Sequence, residues 1–283
     1  MHFGELSFGS PASIWALRVE PFGAFLALGL VLGVLFARRM AVECALDLGV
    51  GIRALSAALV ASLVTARLGY VLTSGEVTSW RAALAAGQGG LSAYGALFGA
   101  VAGVAIVLRR SLARATWFDV GALSALLVSA VASLGSFLAG SDFGRVLAHG
   151  APRWLARIGT YPRPHGVEVS SLWFFQSERG LVNAGSLASV PVHPTPLYES
   201  LAQLTLLAVL LGLRRFQRRA GQTFVLATIG YALVRFGVEA LRDEAVRARI
   251  GSLSFNRVAA FCSVLALALA WLWSKQRSDL ASS

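Results

Sequence analysis

The chain has 283 residues, of which 56% are hydrophobic and only 14% charged, and its mean hydropathy is +0.67. Soluble globular domains seldom reach that balance, so composition excludes them and points to a polytopic membrane protein. The formal charge of +11 would suit nucleic acid, but the arginines cluster where apolar runs end, which is how membrane topology is set. No nucleic-acid partner is expected, and the basic balance reports orientation and contact with anionic lipid headgroups.

The segment up to Leu17 has no basic n-region and no small-residue cleavage site, so no removable signal peptide is expected. Apolar runs then follow in order at about Val19 to Ala37, Ala54 to Leu72, Leu91 to Leu108, Phe118 to Ala139, Leu197 to Leu213, Phe224 to Leu241 and Val258 to Trp273. Each is roughly long enough to cross a ~30 Å hydrocarbon core as a helix rising 1.5 Å per residue. The predicted fold is an all-α integral membrane protein of seven transmembrane helices, a single polytopic domain over residues 1–283. Its two cysteines, Cys44 in the first connection and Cys262 in the last apolar run, imply no disulfide framework.

Basic clusters at Arg38/Arg39, Arg109/Arg110/Arg114, Arg214/Arg215/Arg218/Arg219 and Lys275/Arg277 occupy alternate connections. The positive-inside rule places them in the cytoplasm, the N-terminus outside and the C-terminus inside. Arg242, Arg247 and Arg249 on an outer connection run against the rule, but the other loops agree. The insert over residues 141–192, rich in Pro and Trp, then forms a small extracytoplasmic cap. It is too short for an independent domain with a sizeable core.

The informative stretch is Gly230 to Glu244, GYALVRFGVEALRDE. It sets Arg235 and Glu239 in an apolar run, and helical spacing puts Tyr231, Arg235, Glu239 and Arg242 on one stripe. An arginine at bilayer depth costs roughly 2.5 to 3.5 kcal/mol on insertion scales, which marks a functional site unless it is an ion pair clamping helices. Arg67, Tyr94, His193, Arg235 and Glu239 all fall in the outer third of their spans. Tyr198 and Glu199 lie about one turn deeper, and Ser133, Ser136 and Ser141 end the fourth span among glycines. A wet pocket opening toward the outer leaflet is expected, and arginines without matching acid suit an anionic ligand such as a phospholipid headgroup. On local sequence alone His193 could equally shape a proline-bounded helix start, with Thr195 as cap and Pro196 at the first helical position. Tyr94 could be an interfacial belt residue, and the pattern from Gly95 to Gly99 reads as helix packing.

Four motifs in order, ARLGYVL (Ala66 to Leu72), GGLSAYGALFG (Gly89 to Gly99), HPTPLYE (His193 to Glu199) and GYALVRFGVEALRDE, resemble the prolipoprotein diacylglyceryl transferase family. HPTPLYE and the R-x3-E-x2-R of the sixth span are the specific ones. The resemblance implies transfer of the sn-1,2-diacylglyceryl group from phosphatidylglycerol to a lipobox cysteine in a prolipoprotein signal peptide. It implies no cofactor and no metal, and a multi-pass enzyme of the bacterial cytoplasmic (inner) membrane, surrounded by membrane lipids, with its site facing the outer leaflet. On that reading Arg235 holds the headgroup phosphate and Glu239 orients Arg235 or Arg242. His193 or Tyr94 handles the thiol proton. Arg67, Arg242, Arg145, Ser136 and Gly140 complete the phosphatidylglycerol site. Tyr94 stands where the family often has histidine, which favours His193 as the base.

The chain departs from the family at the end of the fourth span. There the family reads approximately G-R-x-G-N-F-x-N-G-E-x-x-G-R and this chain reads ASLGSFLAGSDFGR, Ala132 to Arg145. Ser133, Ser136 and Ser141 replace an arginine, an asparagine and the glutamate. Arg67 or Arg145 is the candidate substitute cation, and Asp142 the candidate acid one position along. The first span similarly offers Phe22 where the family has tyrosine. These departures sustain a second reading, a non-catalytic paralogue that binds phospholipid or preprotein. An anion transporter would need polar residues continuing to the inner face, and an intramembrane protease a Ser/His or paired-Asp arrangement; neither pattern is present.

Overall fold

The structure is a computed structural model, and it describes residues 6–8, 17–19, 21–74, 93–163, 172–183, 185–217, 219–242, 249–250 and 253–254. Eight helices run in chain order among these: α1 Pro21–Glu43, α2 Leu48–Ser74, α3 Ala93–Leu108, α4 Arg114–Ala139, α5 Arg153–Ile158, α6 Leu172–Glu178, α7 Thr195–Leu213 and α8 Gln222–Glu239. Two short antiparallel pairs depart from the all-α expectation. β1 Leu6–Phe8 pairs with β2 Leu17–Val19, and β3 Arg249–Ile250 with β4 Leu253–Ser254.

Four stretches are long and apolar enough to cross a membrane: Pro21–Glu43, Leu48–Leu72, Arg114–Ala139 and Thr195–Phe216. The protein is a membrane protein on that ground. α3 is shorter, and α8 carries Arg235 and Glu239, which lower its hydropathy. The start of the expected third span at Leu91, and the whole expected seventh span, lie outside the described residues.

Helix ends differ from the hydropathy boundaries. α1 does not stop at Arg38 and Arg39 but continues to Glu43, where Arg39 Nε donates to Glu43 Oε1 at 3.1 Å, one turn along the same face. Hydropathy marks where lipid contact ends, whereas the backbone ladder continues as long as side chains permit it. Long apolar side chains such as Val31, Leu35, Val60 and Leu63 remain exposed on α1 and α2, as a lipid-facing surface requires.

The chain divides into two compact units, Met1–Phe36 with Gly121–Ser283, and Ala37–Val120. Within the second unit α2 and α3 pack along a small-residue seam. A Cβ added at Gly95, Gly99 or Gly103 would overlap the backbone of Thr65, Ala61 or Ala57. Close approach of this kind lets dispersion act between helices in a solvent as apolar as their side chains, and it bears out the packing expectation for Gly95 and Gly99.

In the first unit α7 and α8 form an antiparallel hairpin through the 3-10 turn Arg214–Phe216. Gly230 of α8 gives room to Leu206, whose side chain a Cβ there would strike at 2.6 Å. That contact fixes the register: about two turns before Leu206 stands Glu199, and about one and a half turns after Gly230 stands Arg235. The segment 141–192 holds α5, α6 and a small core of Phe143, Tyr161, Leu172 and Val192, with Phe137 and Phe175 packed against it.

Candidate functional site

α4 ends in a tight turn. Gly140 adopts φ +67° and Ser141 N–H donates back to the Ser136 carbonyl at 3.0 Å. Asp142 follows at φ +54°, a left-handed conformation that aspartate tolerates better than most residues. The chain then extends between two other segments. Gly144 N–H donates to the His193 carbonyl and His193 N–H to the Arg145 carbonyl, while Arg145 N–H donates to the Leu241 carbonyl. Gly144 is thus flanked by His193 on one side and by Leu241 and Arg242 on the other. A Cβ at Gly144 would lie 2.7 Å from both His193 Cβ and Leu241 O, so only glycine lets the three segments approach this closely. Gly144→Ala is expected to cost about 1–3 kcal/mol of stability through overpacking. Lipid binding should weaken with it, as read by thermal unfolding and by native mass spectrometry of retained phospholipid.

This scaffold delivers charge to one carboxylate. Glu199, in the first turns of α7 and only 6% exposed at its side chain, accepts from Arg235 Nη1 at 2.7 Å through Oε1 and 2.8 Å through Oε2. Arg242 Nη2 stands 3.5 Å from the same Oε2, and Arg242 Nη1 3.4 Å from Asp142 Oδ1. Ser136 Oγ donates to the other Asp142 oxygen at 3.4 Å. The result is a chain of charges, Arg235 to Glu199 to Arg242 to Asp142. Burying such groups is tolerated only when each has an opposite charge or hydrogen-bond partner.

The geometry corrects several expectations. The carboxylate that hydrogen-bonds Arg235 is Glu199 on the facing helix, while Glu239 on its own helix acts on it through charge. Glu239 is fully buried in the last turn of α8. Arg242 lies beyond the end of α8, in the extended segment beside Gly144, so it does not continue the helical stripe. The arginines are matched by acid after all, because Glu199 and Asp142 arrive from other elements. Gly140 serves the α4 turn and borders the Tyr161 ring. Thr195 does not cap α7; its hydroxyl donates to the Asp142 carbonyl at 2.6 Å, and Pro196 sits in the first turn.

His193 Nδ1 lies 3.4 Å from the Tyr198 hydroxyl. Its pKa is lowered from the ordinary imidazole value, first by burial and then by the charge of Arg145, so the neutral ring persists into mild acid. Arg145 is itself exposed and donates from Nη2 to the Ala240 carbonyl at 2.5 Å. Arg67 and Tyr94 belong to the unit Ala37–Val120. There Arg67 stacks 5.4 Å above the Tyr70 ring centroid; the Tyr94 side chain lies outside the described residues.

Arg235 meets Glu199 end-on. Both carboxylate oxygens use Nη1, and Nη2 and Nε make no hydrogen bond among the described residues. One edge of the guanidinium fork is therefore not used by Glu199. An apolar groove of about 550 Å³ runs down the adjoining face of α7 from Tyr198 past Leu201, Thr205 and Val209.

The prolipoprotein diacylglyceryl transferase family model matches residues 11–273. The chain belongs to that family. It is a transferase accordingly, and a protein of lipoprotein modification. It is 28% identical over 241 residues to the phosphatidylglycerol–prolipoprotein diacylglyceryl transferase of Bacillus mycoides, covering 82% of this chain and 81% of that one. It is likewise 28% identical over 272 residues to the enzyme of the same name from Geobacillus kaustophilus, covering 90% of each. Sequence reasoning carried Glu199 in HPTPLYE and Arg235 in the sixth-span motif but did not bring the two together. The signal available was the pair of apolar runs flanking one short basic turn, which demands an antiparallel hairpin.

Proposed function

We propose that the protein transfers the sn-1,2-diacylglyceryl group of phosphatidylglycerol to the thiol of a lipobox cysteine; the names of its relatives give phosphatidylglycerol, prolipoprotein and diacylglyceryl transfer for them. The observation that carries this reading is the end-on Arg235–Glu199 pair, which holds a largely buried guanidinium in an apolar helix with one edge unused by the carboxylate. The phosphodiester docks on that edge with Arg242 behind it, and an acyl chain lies along the α7 groove headed by Tyr198. The lipobox sulfur attacks C3 of the diacylglyceryl moiety. An S–C bond forms, the C–O bond to phosphate breaks, and glycerol phosphate departs, its charge held by Arg235.

The thiol proton goes to His193. With Nδ1–H donating to Tyr198 Oη, Nε2 carries the lone pair, and burial plus Arg145 keep the ring neutral. Glu239 remains assigned to the site as a supporting group, with Arg145 acting on His193 through its charge. The full architecture in this reading is seven spans with the N-terminus outside, the C-terminus inside and residues 141–192 as an extracytoplasmic cap in a bacterial inner membrane. The site then faces the outer leaflet, where signal peptides emerge.

Because the pKa of His193 is lowered, its protonation, and with it the loss of base catalysis, falls below pH 6.5. The acid limb of kcat/KM for glycerol phosphate release is expected below that value. His193→Gln should remove the limb and slow release about 10²- to 10⁴-fold. A limb at or above 6.5, or one unchanged in the variant, contradicts the assignment. The serines at 133, 136 and 141 favour a second reading, a phospholipid-binding paralogue without turnover. Phosphatidylglycerol retained without any glycerol phosphate release in the presence of a lipobox peptide would decide for it.

A further inference from the structure

Gln203 has no role in the account so far, yet it is one of the most completely buried side chains of the first unit, with no exposed surface. It lies one turn below Glu199 on the same face of α7, above Leu207 and Leu210. Its Nε2 donates to Glu199 Oε1 at 3.1 Å. That oxygen also accepts from Arg235 Nη1 at 2.7 Å, while Oε2 takes Arg235 Nη1 and faces Arg242 Nη2. The amide's other end, Oε1, is buried without a hydrogen-bond partner among the described residues. A buried carbonyl left unsatisfied is costly, and methionine would fill the same space without that cost. What methionine could not supply is the Nε2–H donor.

The donor has a directional consequence. Arginine and carboxylate prefer the parallel fork-to-fork arrangement, in which two guanidinium nitrogens are consumed. Here Gln203 occupies Oε1 on one side and Arg242 approaches Oε2 on the other, so the carboxylate plane is held and Arg235 is met by Nη1 alone. We propose that Gln203 is a positioning residue that keeps Glu199 in the end-on arrangement and so keeps the Nη2/Nε edge of Arg235 open for the lipid phosphate. This rests on the donor-lipid reading above.

The test compares wild type, Gln203→Met and Gln203→Glu as full-length purified protein in nanodiscs. Its readouts are KM and kcat for phosphatidylglycerol, lipid retained in native mass spectra, and melting temperature. In Gln203→Met the KM should rise about tenfold and lipid retention fall with it, while kcat changes less and the melting temperature does not drop. In Gln203→Glu the introduced carboxyl stands beside Glu199 on its own helix, in a cluster whose other titratable groups are Arg235, Tyr231 and Glu239 of α8 and Arg242 after it. Ionised, it repels Glu199 and competes for Arg235; protonated, it donates as the amide did. Its KM defect should therefore shrink as pH is lowered, the opposite of the general acid decline expected from His193. Wild-type KM and retention in Gln203→Met overturn the proposal. So do parallel losses of kcat and melting temperature with no recovery in acid, the mark of a packing role. Wild-type protein that neither retains nor consumes phosphatidylglycerol overturns the donor-lipid reading itself, and the inference with it. Wild type that retains lipid without turnover leaves retention as the deciding readout.

Discussion

Arg235→Ala is expected to lower diacylglyceryl transfer by at least about 100-fold while the protein still inserts and folds. Removing one preorganised cation from a site where charge develops on a leaving group commonly costs about 10² to 10³ in kcat. On the proposed reading the departing phosphate gains charge as the C–O bond breaks, and the edge of Arg235 that Glu199 does not use is the fork that would face it. Insertion should survive because removing an arginine from an apolar helix favours membrane partition. Glu199 also keeps Arg242 as a partner. Arg235→Lys separates charge from geometry. Lysine restores the cation but not the fork, so activity should fall between wild type and alanine. Equal activity for lysine and arginine would mean that charge alone matters at this position.

Glu199→Gln should do the larger structural damage. Glu199 is shared by Arg235 and Arg242, whose side chains are 19% and 9% exposed. Breaking a buried pair by neutralising one partner typically costs about 3–5 kcal/mol, because a cation is left dehydrated and unmatched. Asp142 continues to hold Arg242 at 3.4 Å, so the lower end of that range is expected, together with loss of transfer. A clear drop in melting temperature with Arg235→Ala close to wild type would separate the hub from the phosphate ligand. If instead Glu199→Gln melts like wild type, the carboxylate does not carry the cluster's charge balance.

The spans were legible because hydropathy reads the transfer of side chains into lipid, and α1, α2, α4 and α7 each contain most of an expected apolar run. Their ends were not, since α1 runs through Arg38 and Arg39 on backbone hydrogen bonds that carry no hydropathic signature. Arg235 stood out from the sequence because an arginine in an apolar run has an energetic cost that demands an explanation. Its partner did not, because helical spacing offers only Glu239, and Glu199 arrives through the Leu206 to Gly230 register between two helices. Arg242 was misplaced for a related reason. Whether α8 continues to residue 242 depends on Gly144 and Leu241 pairing the chain away from the helix, which no local pattern encodes. Asp142 as the displaced acid was visible as a candidate only. Its turn at φ +54° is what aims the carboxylate at Arg242 instead of leaving it one residue out of place.

Ser133, where the resemblance leads to the expectation of an arginine, makes turnover the decisive question, and mass spectrometry of a lipobox peptide answers it. The peptide is incubated with the purified protein and phosphatidylglycerol, and the diacylglyceryl mass addition is sought on its cysteine. An adduct on that cysteine, absent with Arg235→Ala and absent when the cysteine is replaced by serine, is the outcome expected here. No adduct, under conditions where a Geobacillus relative modifies the same peptide, would contradict transfer and leave a phospholipid-binding member of the family.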